Sequence, residues 1–277
     1  MSPFVFAAVL LAALLHAGWN AVVKRGSDTL LTTALVAGFA GLVSLAVLPF
    51  VAAPAAPSWP FIAASTLCQL LYFVLLARTY RVAELSQAYP LMRGTAPLLV
   101  AMASAVVPGE PLSAFAWLGI GLICAGIISM AAGWRATHGA GLRLALLNAV
   151  VIAAYTMIDG LGVRRSGAPA GYALWLFALT GALFILGVLA LRPRALREHV
   201  SGHWRSGLVG GAGTAASYGI VLWAMSAAPV AIVAALRETS ILFATILSAV
   251  ILKERLTPAR IAAACAIVAG AAVLRLA

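Results

Sequence analysis

Charge is what this 277-residue sequence has least of: Asp, Glu, Lys and Arg make up 9% of it, against about a quarter of an ordinary soluble domain. Acids are scarcest, seven in all. The three cysteines, Cys68, Cys124 and Cys265, all lie inside apolar runs, where each reads as a small buried hydrophobe, and they make neither a disulfide framework nor a metal spacing. The apolar fraction is 64% and the mean hydropathy +1.08. A water-soluble globule cannot cover itself with so little polar surface. A soluble enzyme, a nucleic-acid-binding domain and a disordered chain are thereby excluded. Phosphate-loop chemistry is missing too: the glycines of 207–213 sit in an apolar run with no Lys-Ser/Thr after them. No cofactor and no metal are expected. The net charge of +11 therefore reads as Lys and Arg gathered in short cytoplasmic loops rather than as a nucleic-acid footprint.

What is present is a series of long apolar runs. A membrane helix needs about 20 such residues, and ten stretches qualify: 4–23, 30–52, 60–77, 85–108, 113–133, 141–162, 168–191, 206–226, 228–252 and 258–276. Lys24 to Asp28, Pro54 to Pro60, Gly109 to Pro111 and Arg192 to Arg205 are read as the breaks between them. Trp59, Trp134 and Trp204 fall at span ends, where an indole favours the interface. The first run is read as a span and not a secretory leader, because nothing basic precedes Phe4 and the run passes His16 to Val23. Strands of a barrel would be shorter and alternating. The expected fold is an all-α membrane protein with ten transmembrane helices.

The chain repeats itself. Shifted by 144 residues, 93–126 lies over 237–270 with 11 of 34 positions identical. Among the identities are Arg93/Arg237, Thr95/Thr239, Ser104/Ser248, Glu110/Glu254 and Gly126/Gly270, in a sequence where polar residues are scarce. Span 4 maps onto span 9 and span 5 onto span 10. Five is odd, so the second copy is expected to cross the membrane the other way. Inverted repeats of this kind are the architecture of secondary transporters.

The residues also carry a resemblance. His16-Ala17-Gly18-Trp19-Asn20 followed by Lys24, Tyr89-Pro90 leading to Arg93-Gly94-Thr95-Ala96-Pro97, Gly109-Glu110-Pro111-Leu112-Ser113, and Lys253-Glu254-Arg255-Leu256-Thr257 resemble the EamA-type permeases of the drug/metabolite transporter superfamily. That resemblance implies two inverted five-helix halves, 1–133 and 141–277, and export or exchange of small metabolites, amino acids or drugs. The second copy has Ala234 for Pro90 and Ile241 for Pro97. Span 4 alone is therefore expected to kink strongly, and the symmetry of the two half-sites is in question.

Charges inside a bilayer are costly and mark cavities or partners. Four lie within the spans: Arg93, Asp159, Arg237 and Glu238. Arg93 and Arg237 are repeat equivalents. They suit a carboxylate or phosphate gripped by two guanidiniums, or else a structural role at freed carbonyls or acids. Glu238 is expected to point away from Arg237, since helix neighbours differ by about 100°, and to reach Arg93. It is either a proton carrier or a salt bridge between spans 4 and 9. His16, Trp19 and Asn20, at i, i+3 and i+4, share one face; they contact solute, with His16 a proton site, or hydrogen-bond between helices. Tyr89, Tyr155, Tyr218 and Trp223 line the site or pack, with Gln69 and Gln87 as weaker candidates. Glu110 and Glu254 are read as helix-start acids, and Gly207, Gly211 and Gly219 as a close-packing stripe.

The expected function is secondary transport, exporting or exchanging a small polar metabolite (an amino acid, organic anion or drug-like solute) by alternating access around spans 1, 4, 6 and 9, with proton coupling open. The alternative is a flippase for a lipid-linked sugar or phospholipid headgroup. An intramembrane enzyme would need paired acids or a Ser/His set at one depth. The expected partners are a small solute and the lipid bilayer of the inner membrane, with no nucleic acid; the protein would be a monomer or homodimer. Loops after odd-numbered spans hold thirteen Lys/Arg and the other side three, Arg164, Arg165 and Arg275. The positive-inside rule then places both termini outside. A reporter active only in the cytoplasm, fused after Ala277, is expected to be silent, and activity there would reverse the orientation.

Overall fold

The structure, a computed structural model, describes residues 1–23, 28–83, 85–106, 111–130, 139–251 and 257–277. Every regular element among them is helical. In chain order they are α1 (Pro3–Val23), α2 (Thr29–Val47), α3 (Trp59–Val82), α4 (Leu85–Ser104), α5 (Ala114–Ser129), α6 (Gly139–Ser166), α7 (Pro169–Leu191), α8 (Pro193–Ala227), α9 (Val230–Arg237), α10 (Ser240–Ile251) and α11 (Pro258–Leu276). Eight helical segments among the described residues are long and apolar enough to cross a membrane, with α9 and α10 merged in one of them; α5 is a shorter apolar helix, and α4 carries Arg93 and two prolines. Large side chains such as Phe4, Leu42, Leu67, Met102 and Leu186 are exposed around the bundle. An apolar exterior of this extent belongs against lipid tails, and the protein is an integral, multi-pass membrane protein.

The helix starts follow from local chemistry. The Asp28 carboxylate accepts from the backbone N–H of Leu30 and Leu31 at 2.9 and 3.1 Å to open α2. Ser113 caps α5 through Ala116 N–H at 3.1 Å, and Thr257 caps α11 through Arg260 N–H at 3.3 Å. Ser113 and Thr257 are repeat equivalents, so the two copies share their cap as well as their interior. Between α6 and α7 the chain reverses at Gly167, whose φ of +62° suits a residue without Cβ.

Packing is reciprocal between the two parts of the chain. α1 packs on α8 as α6 packs on α3, and α4 meets α6 as α9 and α10 meet α1. The central pairs are α2 with α7 and α5 with α11. Both cross at glycines. A Cβ on Gly126 would come within 2.9 Å of the Ala263 carbonyl and 3.0 Å of Ile267, while one on Gly270 would come within 2.7 Å of the Gly119 carbonyl and of Ile123. Moving up α5 from Gly119 to Gly126 thus moves down α11 from Gly270 to Ala263, so the two helices run antiparallel. Gly41 and Gly181 meet in the same sense between α2 and α7.

Two expectations need correction, at Arg192 to Arg205 and at Trp204. Arg192 to Arg205 is not a loop: α8 begins at Pro193, which is preset for a first helical turn, and is 35 residues long, about 52 Å. Its early turns bury Leu196 against Phe184 and Val188 and bring Val200 onto the same cluster. Trp204 consequently sits within a helix, with Arg205 over its ring, and Trp134 lies outside the described residues. Span 4 is one helical element through both prolines, so the expected kink there is a bend and not a break. The interruption falls in span 9, between α9 and α10. There Glu238, Thr239 and Ile241 each donate to the carbonyl three residues back, at 3.0 Å, and the Thr239 hydroxyl donates to the Leu236 carbonyl at 2.7 Å. This tightened turn and side-chain back-bond break the ladder without a proline.

The span-8 glycines divide by surroundings. A Cβ on Gly211 would lie 2.5 Å from Ala40 N, whereas one on Gly219 meets nothing within 4 Å. Gly211→Ala is expected to lower stability by about 1–3 kcal/mol through forced separation of α2 and α8, and Gly219→Ala to change it by less than about 0.5 kcal/mol. Thermal unfolding of the purified variants checks the contrast.

Candidate functional site

The interruption between α9 and α10 is where the buried charge collects. Arg93 comes from the middle of α4, Arg237 ends α9, and Glu238 follows it. All three are buried, with Glu238 at 1% exposure. Arg93 Nε lies 2.7 Å from Glu238 Oε2. Arg237 Nη2 donates to Glu238 Oε1 at 3.3 Å. The expected Arg93–Glu238 contact across spans 4 and 9 is therefore present. The expectation that Glu238 points away from Arg237 is overturned. It assumed an unbroken helix, and here the ladder breaks at Glu238 and lets the Arg237 side chain fold back onto its neighbour. One carboxylate thus faces two guanidiniums.

The cluster is not saturated. Among the described residues, Arg93 Nη2, Arg237 Nε and the Ser240 hydroxyl are buried and have no hydrogen-bond partner. Arg93 Nε and Glu238 Oε2, though close, are not aligned as a hydrogen bond. Unmatched donors in a dry core cost about 1–3 kcal/mol each, more for charged groups.

A second buried acid lies one aromatic ring away. Asp159 of α6 is fully buried. It accepts from the Tyr172 hydroxyl of α7 at 3.0 Å and from the Tyr218 hydroxyl of α8 at 2.7 Å. The Arg237 guanidinium carbon stands 5.4 Å from the Tyr218 ring centroid, within cation–π range. Tyr155 packs edge-on to Tyr218 and to Tyr72, at 6.4 and 6.0 Å. Asp159, Tyr218, Arg237, Glu238 and Arg93 therefore form one continuous line through α6, α8, α9 and α4, flanked by aromatic rings. Tyr89, one turn before Arg93 on α4, lies in electrostatic range of Arg93 and Glu238.

The N-terminal face is only partly joined to this line. His16 is half-buried and in electrostatic range of Arg93 and Arg237. The Asn20 amide donates to the His16 carbonyl at 2.8 Å, a bond within α1. Trp19 packs edge-on to His16 at 5.2 Å and lies against α8 at Gly213. Its indole N–H is buried without a partner among the described residues. Trp223 packs on Phe4 rather than on the tyrosines. Gln69 is spent on Ser65 at 3.2 Å within α3. The Gln87 side chain, Glu110 and Glu254 lie outside the described residues. The three cysteines are free, and no metal-binding cluster occurs among the described residues.

Tyr172, Tyr72 and Ser240 were not singled out from the sequence. A signal existed for Tyr172: a buried acid such as Asp159 needs donors, and a tyrosine in a neighbouring apolar span is the cheapest supply. Arg164 meets its needs elsewhere, donating to the Met225 and Ala228 carbonyls at 2.8 Å and closing the end of α8. Tyr218→Phe keeps the ring under Arg237 and removes only the donor to Asp159. It is expected to cost about 1–3 kcal/mol, as is Tyr172→Phe, in denaturant unfolding of the purified variants.

With that geometry in view, comparison with known proteins gives a consistent result. One solved crystal structure of a protein, 22% identical, covers 99% of this chain and 96% of that one with a TM-score of 0.78, which speaks for the fold. No curated protein matches in sequence. The EamA-like transporter family matches residues 4–132 and again 139–276. The chain belongs to the EamA-like transporter family, and is a membrane transporter of small solutes.

Proposed function

We propose that the protein is a secondary transporter that exports or exchanges a small polar solute by alternating access, with two inverted five-helix halves, 1–133 and 141–277, moving around a site at the α4/α9–α10 junction in the cytoplasmic membrane. The observation that carries this reading is the position of the Arg93–Glu238–Arg237 cluster. It joins a helix of the first half to an interrupted helix of the second, and the interruption falls at the charges themselves. Broken helices at a repeat interface are where transporters hold their cargo. The antiparallel crossings of α2 on α7 and α5 on α11 support inversion, since each pair joins helices in the same place of the two halves. Close glycine contacts at both crossings give the halves flat surfaces on which to rock.

Glu238 has two roles to choose between. Protonating it would surrender both ion contacts at once, so the latch between halves is favoured over a proton carrier. His16, Trp19, Asn20, Tyr89, Tyr155, Asp159 and Tyr218 are the remaining proposed solute or coupling contacts, with Asp159 positioning Tyr218. In proteoliposomes, transport by Glu238→Gln at several external pH values is expected to keep the pH dependence of the parent. Loss of that dependence would make Glu238 the proton carrier. Arg93→Ala is expected to abolish ligand-induced thermal stabilisation in a metabolite screen on purified protein, and retention of the same ligand would move the site elsewhere.

A further inference from the structure

The internal repeat duplicated the arginine but not the acid. Arg93 and Arg237 are equivalent, yet the position equivalent to Glu238 is Gly94. Gly94 cannot be replaced cheaply: a Cβ there would stand 2.7 Å from Ile128 and 3.2 Å from the Cys124 carbonyl, where α4 lies on α5. Two buried guanidiniums therefore share a single carboxylate. Among the described residues Asp159 makes no ion pair with either arginine; it accepts from the Tyr172 and Tyr218 hydroxyls, and Tyr218 presents its ring to Arg237. The surplus donors are Arg93 Nη2, Arg237 Nε and the Ser240 hydroxyl, and Ser240 opens α10, whose N-terminus favours negative charge.

Resting on the transport reading above, we propose that the solute carries a carboxylate, and that Glu238 is a tethered stand-in for it. In the solute-free protein Glu238 holds Arg93 and Arg237 together. The solute carboxylate takes its place on the guanidiniums and on Ser240, and the freed Glu238 loosens the contact between α4 and α9. The group these guanidiniums already hold is a carboxylate, so a solute carboxylate replaces Glu238 like for like. The internal anion competes with the external one, so it lowers apparent affinity by the fraction of protein in which Glu238 occupies the site. It also couples occupancy to the release of the two halves.

This gives the proposal an unusual signature: removing a charged residue from the binding site should tighten binding. Purified full-length protein is titrated with acetate, benzoate and hippurate, with the matching amides, and with inorganic phosphate, and the unfolding midpoint is followed. Carboxylates are expected to stabilise the parent and their amides not to. Glu238→Gln is expected to bind the same carboxylates about tenfold more tightly, and Arg237→Gln to lose the effect. Glu238→Asp, whose carboxylate is withdrawn by one methylene, is expected to tighten binding to a lesser degree and is decisive if the glutamine variant does not fold. Equal or weaker carboxylate binding in the folded Glu238 variants overturns the proposal, as does stabilisation by phosphate or by the amides in place of carboxylates. Hippurate and hippuramide uptake into proteoliposomes, against protein-free vesicles, separates the two levels. Equal protein-dependent flux of both overturns the carboxylate assignment and leaves transport standing. Binding of hippurate without flux of either overturns the transport reading.

Discussion

A carboxylate held between two guanidiniums, out of reach of water, is the constraint on which the rest of this structure turns. Removing such charges from water costs several kcal/mol per ion, and mutual attraction offsets that only when geometry and hydrogen bonding are good. Here they are incomplete. Arg93 and Glu238 are close but poorly aligned, and each guanidinium retains an unmatched N–H. A cluster that is paired yet unsaturated binds its members to each other and still attracts a further anion. That combination is poor economy for a scaffold and useful for a site that must empty and refill.

The helices around the cluster are arranged to tolerate it. The interruption of span 9 at Glu238 lets one short stretch of chain present both Arg237 and Glu238 to the same place, which a continuous helix forbids. Tyr218 insulates Arg237 from Asp159 while touching both, so two acids of one small core are kept to separate tasks. Tyr172 and Tyr218 fix Asp159 from α7 and α8, tying the second half together beside the junction. Around this polar line, glycines bring neighbouring helices close, against backbone and side chains such as Leu274, Ile267 and Leu35. Lipid provides no hydrophobic drive between apolar helices, so close backbone approach is what holds them.

The site's asymmetry comes from packing. Symmetry would have given each half an arginine and an acid. Gly94 lies too close to Ile128 and the Cys124 carbonyl for any side chain, whereas Glu238 sits where the ladder has opened. The first half keeps its helix through two prolines, because a proline within a helix forfeits one N–H bond that neighbouring helices can absorb in a membrane bundle. The equivalent helix of the second half, with Ala234 and Ile241 where the first has Pro90 and Pro97, breaks at its buried charge. The break in span 9 had no signal in the sequence, since proline is the usual cause of kinks and a buried acid between arginines is not a familiar one.

Much was legible in the sequence because it concerns transfer between water and lipid, which acts on each segment separately. The apolar runs, the family resemblance and the four rare charges within the spans all follow from residue types read in order, and the repeat singled out Arg93 and Arg237 as equivalents. The helical start at Pro193, the break at Glu238, the turn of Arg237 back onto its neighbour, and the claim of Tyr172 and Tyr218 on Asp159 were decided only in the tertiary structure. Each depends on which helices lie side by side and how closely. That is set by many weak contacts between residues far apart in the chain, and no local pattern encodes it.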